Sequence, residues 1–179
     1  MVLKQIQLML EENEFMCSLF PANEQALFDR LLIFLGLDLK KRERMLEVIA
    51  IEQPISPEYA LPDTSLLPFR VQFRTELPFK IEDIALNQVA SLLLFLNQFI
   101  DLPGFELDEL NGKVIYRYVW IIYPTVIDPP LIMSIIGAII LNLSLFSETI
   151  ESLADGKTSF NDLLTQIVQL GDQAQSTKK

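Results

Sequence analysis

The sequence predicts an α+β fold, an antiparallel sheet packed on helices, and three observations carry that reading. Residues 69–77 alternate, with Phe69, Val71 and Phe73 set against Arg70, Gln72 and Arg74, the period-two pattern of a half-buried strand. Residues 82–100 and 129–154 instead repeat apolar residues at steps of three and four, the period of a helix. Between those helices, two runs flank Asn111-Gly112, the pair favoured in a hairpin turn. The expected order is helix, three or four strands, helix, hairpin, long helix.

Each element follows from its residues. Residues 3–12 read as a short helix with Leu3, Ile6, Gln7 and Leu10 on one side. Residues 14–20 read as a strand ended by Pro21. Residues 27–35, LFDRLLIFL, fit helix or strand, and Gly36 ends the run. Residues 45–51, MLEVIAI, are rich in β-branched residues, and the polar connection 36–43 before them favours an antiparallel pair. Pro54, Pro57, Pro62 and Pro68 exclude helix and central strand from 53–68, leaving an extended loop that covers a sheet edge or binds a partner.

In the helix at 82–100, Leu86, Val89, Leu93, Leu96 and Ile100 share a face, Glu82 and Asp83 sit at the positive end, and Pro103-Gly104 stops the run. Asn111-Gly112 is expected to form a two-residue type I′ turn. The strand after it, 113–123, is apolar on both sides with Arg117 as its one charge after Lys113. It is expected to lie centrally or be covered on both faces. Residues 158–170 form a further helix capped by Ser159 or Thr158, with Leu163, Leu164, Ile167 and Leu170 inward. Residues 1–170 make one domain and 171–179 a disordered polar tail.

The run 131–146 is the most hydrophobic of the chain, yet it spans 16 positions where a membrane crossing takes about 20. It lacks the usual Lys/Arg flanks. Ile132, Ile136, Ile139, Leu143, Phe146 and Ile150 fall on one helical face. Ser134, Gly137, Ala138, Leu141, Leu145, Glu148 and Ser152 fall on the other, so a buried helix is expected and not a membrane span.

Composition narrows the function. The 179 residues include 24 acidic and 14 basic side chains, for a net charge of −10, which disfavours nucleic acid and anionic membrane. The one dense basic run, Lys40-Lys41-Arg42-Glu43-Arg44, reads as a solvated loop. The chain has no histidine, the commonest general base and metal ligand. Its single cysteine, Cys17, reads as a small core residue, and the six glycines form no phosphate loop. The acids, among them Glu11, Asp38, Asp108, Glu148 and Glu151, fall on helix ends, turns and loops and read as solvated surface. No catalytic set, metal site or cofactor is therefore expected. The first residues do not resemble a signal peptide, so a cytoplasmic location is expected.

The second half carries a family resemblance. A helix ending in Leu96-Asn97, the strand PGFELDE, a turn, a long strand closing at Tyr123-Pro124, a helix and then Leu153-Ala154-Asp155-Gly156 resemble the pattern of YbjN-like proteins. The stretch 29–51 also looks like the strand–loop–strand of these proteins and of the class I type III secretion chaperones, which share their fold. The resemblance implies an acidic cytoplasmic homodimer that holds an extended segment of a client protein, or a regulatory or structural protein without an unfolded client. By analogy with the chaperones, the dimer or partner surface is expected on the helix at 82–100, through Val89, Leu93 and Leu96, or on the strand at 113–123, through Val119 and Ile121. The proline loop at 53–68 and the helix after Gly156 exceed the simple chaperone plan.

Overall fold

A computed structural model describes residues 2–24, 26–53, 67–101, 104–123 and 127–176, with side chains of 168 and 170–176 left aside. The elements are α1 (Val2–Glu12), β1 (Cys17–Phe20), β2 (Arg30–Leu37), β3 (Glu43–Glu52), β4 (Phe69–Glu76), a 3-10 turn (Asp83–Ala85) continuing into α2 (Leu86–Leu96), β5 (Phe105–Asp108), β6 (Lys113–Ile122), α3 (Pro129–Ala154) and α4 (Phe160–Ser176). The strands form one antiparallel sheet in the order β1-β2-β3-β4-β6-β5. The fold is α+β, and its helices pack against the sheet.

The register explains which residues are inside. Val48 lies opposite Leu31 on β2 and Phe73 on β4, and Phe73 lies opposite Tyr118 on β6. Directly paired residues point to the same side of a sheet. Leu31, Ile33, Leu46, Val48, Val71, Phe73 and Tyr116 therefore line one face, and all are fully buried. Onto them α3 lays Ile132, Ile136, Ile139, Leu143, Ile150 and Leu153, and α1 lays Val2, Leu3, Ile6 and Leu10. Each such side chain contributes roughly 1.5–3 kcal/mol on leaving water. α3 is long and apolar enough to cross a membrane, but its bulky face is buried in the chain's own core. Leu141 and Leu145 look outward, as the helical angles predict.

Two polar devices set the chain's path. The side chain of Asn97, at the end of α2, donates to the Phe105 carbonyl (2.8 Å) and accepts from the Phe105 N–H (2.9 Å). A Cβ on Gly104 would stand 2.1 Å from Asn97 Oδ1, so glycine lets helix end and strand start meet. Ser159 caps α4, its Oγ accepting the Asp162 N–H at 3.1 Å while Asp162 accepts the Ser159 N–H at 3.1 Å.

Several expectations are corrected. Residues 27–35 fit helix or strand by pattern, and the β ladder decides for β2, which runs through Gly36 (φ 89°) by a register shift between Phe34 and Leu37. The β5–β6 connection is a four-residue loop. Asp108 accepts from the Asn111 backbone (3.2 Å) and side chain (2.8 Å), and only Gly112 takes a positive φ, so the type I′ turn does not form. α2 stops at Leu96, because Asn97 is committed to Phe105. α4 runs to Ser176, so 171–176 continue a helix where a disordered tail is expected. Ile167 is half exposed and not inward. The proline loop falls largely on 54–66, outside the described residues. At its edge the Gln53 N–H meets the Pro68 carbonyl at 2.8 Å, joining the ends of β3 and β4.

Candidate functional site

The helices cover one face of the sheet, and the other face forms the candidate site. By the same register it carries Phe20, Arg30, Leu32, Phe34, Met45, Glu47, Ile49, Ile51, Arg70, Gln72, Arg74, Arg117, Val119 and Ile121. All of these side chains are half-buried or exposed. Phe20, Met45 and Ile121 retain 42%, 38% and 62% exposure, high values for large apolar groups on regular strands. Beside β1 this face opens into a groove of about 440 Å³ lined by Phe15, Met16, Phe20, Leu32, Phe34 and Met45. β6 has strand neighbours on both sides, the first of the two alternatives expected of it, while its outward side is not covered among the described residues.

The five residues expected to form a partner surface therefore part company. Val89, Leu93 and Leu96 on α2 are buried in the chain's own core at 7% exposure or less. The same apolar spacing that suggests an interface serves the monomer here. Val119 and Ile121 lie on the open face, Val119 half-buried and Ile121 exposed. Residues the pattern reading passed over share that face with them, chiefly Arg70 opposite Ile121 and Gln72 opposite Val119. The alternation of 69–77 already carried that signal.

Charges on the open face are arranged unevenly. Glu47 stands between Arg30 (3.7 Å) and Arg74 (3.9 Å), and Glu106 Oε1 accepts from Arg117 Nε at 2.7 Å. Arg74 lies directly opposite Arg117 across the β4–β6 ladder. The side chain of Arg30 keeps a buried Nε with no partner among the described residues.

A second cluster holds the fold together at the far edge of α3. Arg42 donates through both terminal nitrogens to Glu151 (2.8 and 2.8 Å), through Nη1 to the Pro78 carbonyl (3.0 Å) and through Nε to Asp38 (2.7 Å). Lys40 also reaches Glu151 at 2.8 Å. The bidentate Arg42 guanidinium holds the Glu151 carboxyl below its ordinary range, against the burial that would raise it. Burial opposes ionisation of Asp38 as well, but the Arg42 N–H, the Arg42 guanidinium and the Lys40 N–H outweigh it and lower its pKa. Arg42 and Glu151 are thus structural partners, where a solvated loop and a solvated acid are expected. A separation of 109 residues hid the pair from any local pattern.

The remaining titratable groups point the same way. Asp108, bonded to the Asn111 side chain, and Asp162, bonded to Ser159, are also held low. Burial pushes the Tyr116 hydroxyl up to about 12. Burial, helped by Glu11, raises the Cys17 thiol, whose hydrogen points at the Gln7 carbonyl. Carboxyls clamped as anions accept hydrogen bonds and do not donate protons near neutrality. Among the described residues, no cluster of three or more His, Cys, Asp or Glu side chains could hold a metal ion.

Fold and face together define a class, an α+β domain with one helix-covered sheet face and one that is open among the described residues. A scan against protein-family models finds no match for the chain, and a search of curated proteins finds none either.

Proposed function

We propose that the chain is a non-enzymatic protein-binding domain, resembling the type III secretion chaperones, that works as a cytoplasmic homodimer and holds a segment of a client protein. The open sheet face carries this reading. Exposed Ile121, Met45 and Phe20 on regular strands keep apolar area in water that a partner would cover. Carboxyls held as anions and a protonated, half-buried thiol supply no proton shuttle or nucleophile, which supports binding over catalysis. The element order, with a helix, four strands, a helix, a hairpin and a long helix, agrees with the plan of the chaperones and of YbjN-like proteins.

A second reading, a YbjN-like regulatory or structural protein without an unfolded client, draws on α4, which follows the long helix and reaches back to α2 through the Gln88 side chain and the Phe160 N–H (3.0 Å). The test is light scattering of the purified chain together with affinity capture from the native host, using the natural sequence and Ile121→Asp. A dimer that captures a protein lost with Ile121→Asp supports the chaperone reading. Capture only of folded partners favours the regulatory one. A monomer that captures nothing overturns both.

A further inference from the structure

Resting on the protein-binding reading, we infer that the open sheet face takes an acidic amphipathic segment of a partner protein, with Arg70, Arg74 and Arg117 meeting its carboxylates. Four of the six arginines of a chain with net charge −10 stand on this one face: Arg30, Arg70, Arg74 and Arg117. Glu47, Glu76 and Glu106 share this face, so among the described residues it repels a carboxylate-rich partner less than the more acidic remainder of the chain does, without being free of acids.

The internal pairing leaves these arginines under-neutralised. Arg74 and Arg117 sit directly opposite each other, an arrangement that destabilises a sheet when both residues carry the same charge. Arg74 has only a long contact of 3.9 Å to Glu47, and Glu47 is shared with Arg30 at 3.7 Å. Arg117 is the better neutralised of the two, through Glu106. Arg70 is exposed beside Ile121 and makes no ion pair within 4.0 Å among the described residues. Carboxylates arriving over this row relieve the like-charge contact and engage guanidinium groups in the paired geometry they favour.

Apolar side chains flank these arginines and set the second requirement of the partner. Leu32, Glu47, Arg74 and Arg117 lie in line across the strands; Ile49 and Val119, and then Ile51, Arg70 and Ile121, follow to one side, and Phe34 and Met45 lie to the other. The matching segment therefore presents carboxylates and apolar side chains together on the face that meets the sheet. A second copy of the chain fits less well. A two-fold axis close to the Arg74–Arg117 pair brings like charges together. Nucleic acid fits less well too, because a phosphodiester backbone offers nothing to cover exposed Ile121 and Met45.

The test is fluorescence anisotropy with a labelled synthetic peptide that bears Leu and Glu together on one face. Its Lys-for-Glu counterpart, a scrambled Glu peptide and a labelled single-stranded RNA serve as comparisons. The Glu peptide is expected to bind saturably, at least about tenfold more tightly than the other three, and to weaken with added salt. Arg74→Glu and Ile121→Asp, each checked for an unchanged melting curve, are expected to lower that affinity by about tenfold or more, and Arg74→Gln by less, because each tenfold step is about 1.4 kcal/mol of contact removed. Equal binding of the Lys peptide, tighter binding of the RNA, or indifference to Arg74→Glu overturns the inference. So does a dimer that Ile121→Asp converts to monomer, since the face then belongs to a second copy. If the Glu peptide fails while affinity capture still recovers a partner lost with Ile121→Asp, the acidic-segment inference falls and the protein-binding reading stands.

Discussion

Replacing Glu151 by Gln keeps the volume of the side chain and removes the charge on which the β2–β3 loop is anchored to α3. The Glu151 side chain is 9% exposed and that of Arg42 31%, so the pair is partly shielded from solvent. The amide presents an NH2 to one of the two guanidinium nitrogens, breaking one arm of a bidentate contact of 2.8 and 2.8 Å and weakening the Lys40 contact. Arg42 keeps Asp38 and the Pro78 carbonyl, so it is not stranded. Removing one partner of a buried pair costs about 3–5 kcal/mol, and the retained contacts and the exposure of Arg42 reduce this to roughly 2–3 kcal/mol. At about 2–4 °C per kcal/mol for a chain of this size, the melting temperature at neutral pH falls by roughly 4–12 °C.

The pH dependence supplies an independent check. Glu151 and Asp38 have lowered pKa values in the folded chain, so more protons bind to the unfolded state, and stability rises with pH through that range. Their contribution is complete above the ordinary carboxylate range and is lost as pH falls through the depressed folded values. The gap between the natural chain and Glu151→Gln therefore narrows as the solution is acidified. Circular dichroism melting across a pH series measures both effects. A shift under about 1 °C at neutral pH, or a gap that stays constant into acid, refutes the anchoring role.

Three further outcomes follow from local geometry. Gly104→Ala forces Asn97 away from Phe105 and is expected to cost about 1–3 kcal/mol through the two hydrogen bonds it disturbs, read by urea denaturation. Gly36→Ala, where open space surrounds the Cβ but φ is 89°, is expected to cost about 1 kcal/mol from backbone strain alone, and a cost as large as that of Gly104→Ala contradicts this ordering. Cys17, with a thiol raised by burial, is expected to react with a disulfide reagent at least about tenfold more slowly in the folded chain than in denaturant, and equal rates exclude its half-buried position.

The periodicities that announced the elements also announced their buried sides. The inward row of α3, the buried face of α1 and the alternation of β4 were all readable before any coordinates, because a helical or strand period encodes both an element and its apolar side. The candidate site was legible only in half. Val119 and Ile121 carried a visible excess of apolar character on β6, while Val89, Leu93 and Leu96 carried the same signal and proved to be core. An apolar stripe states that a surface is covered, and it does not state by what.

By itself, the sequence determined the fold class, the order of the elements apart from the choice between helix and strand at 27–35, the place of the turn at Asn111-Gly112, and the absence of histidine that narrows its chemistry. The tertiary structure alone decided which face of the sheet receives α1 and α3, which face stays open with its arginines facing one another, and that Arg42 reaches Glu151 across 109 residues. Local preferences act over a few bonds and are written in adjacent residues. Contacts between distant segments exist only once the packing of the core has fixed where each element lies.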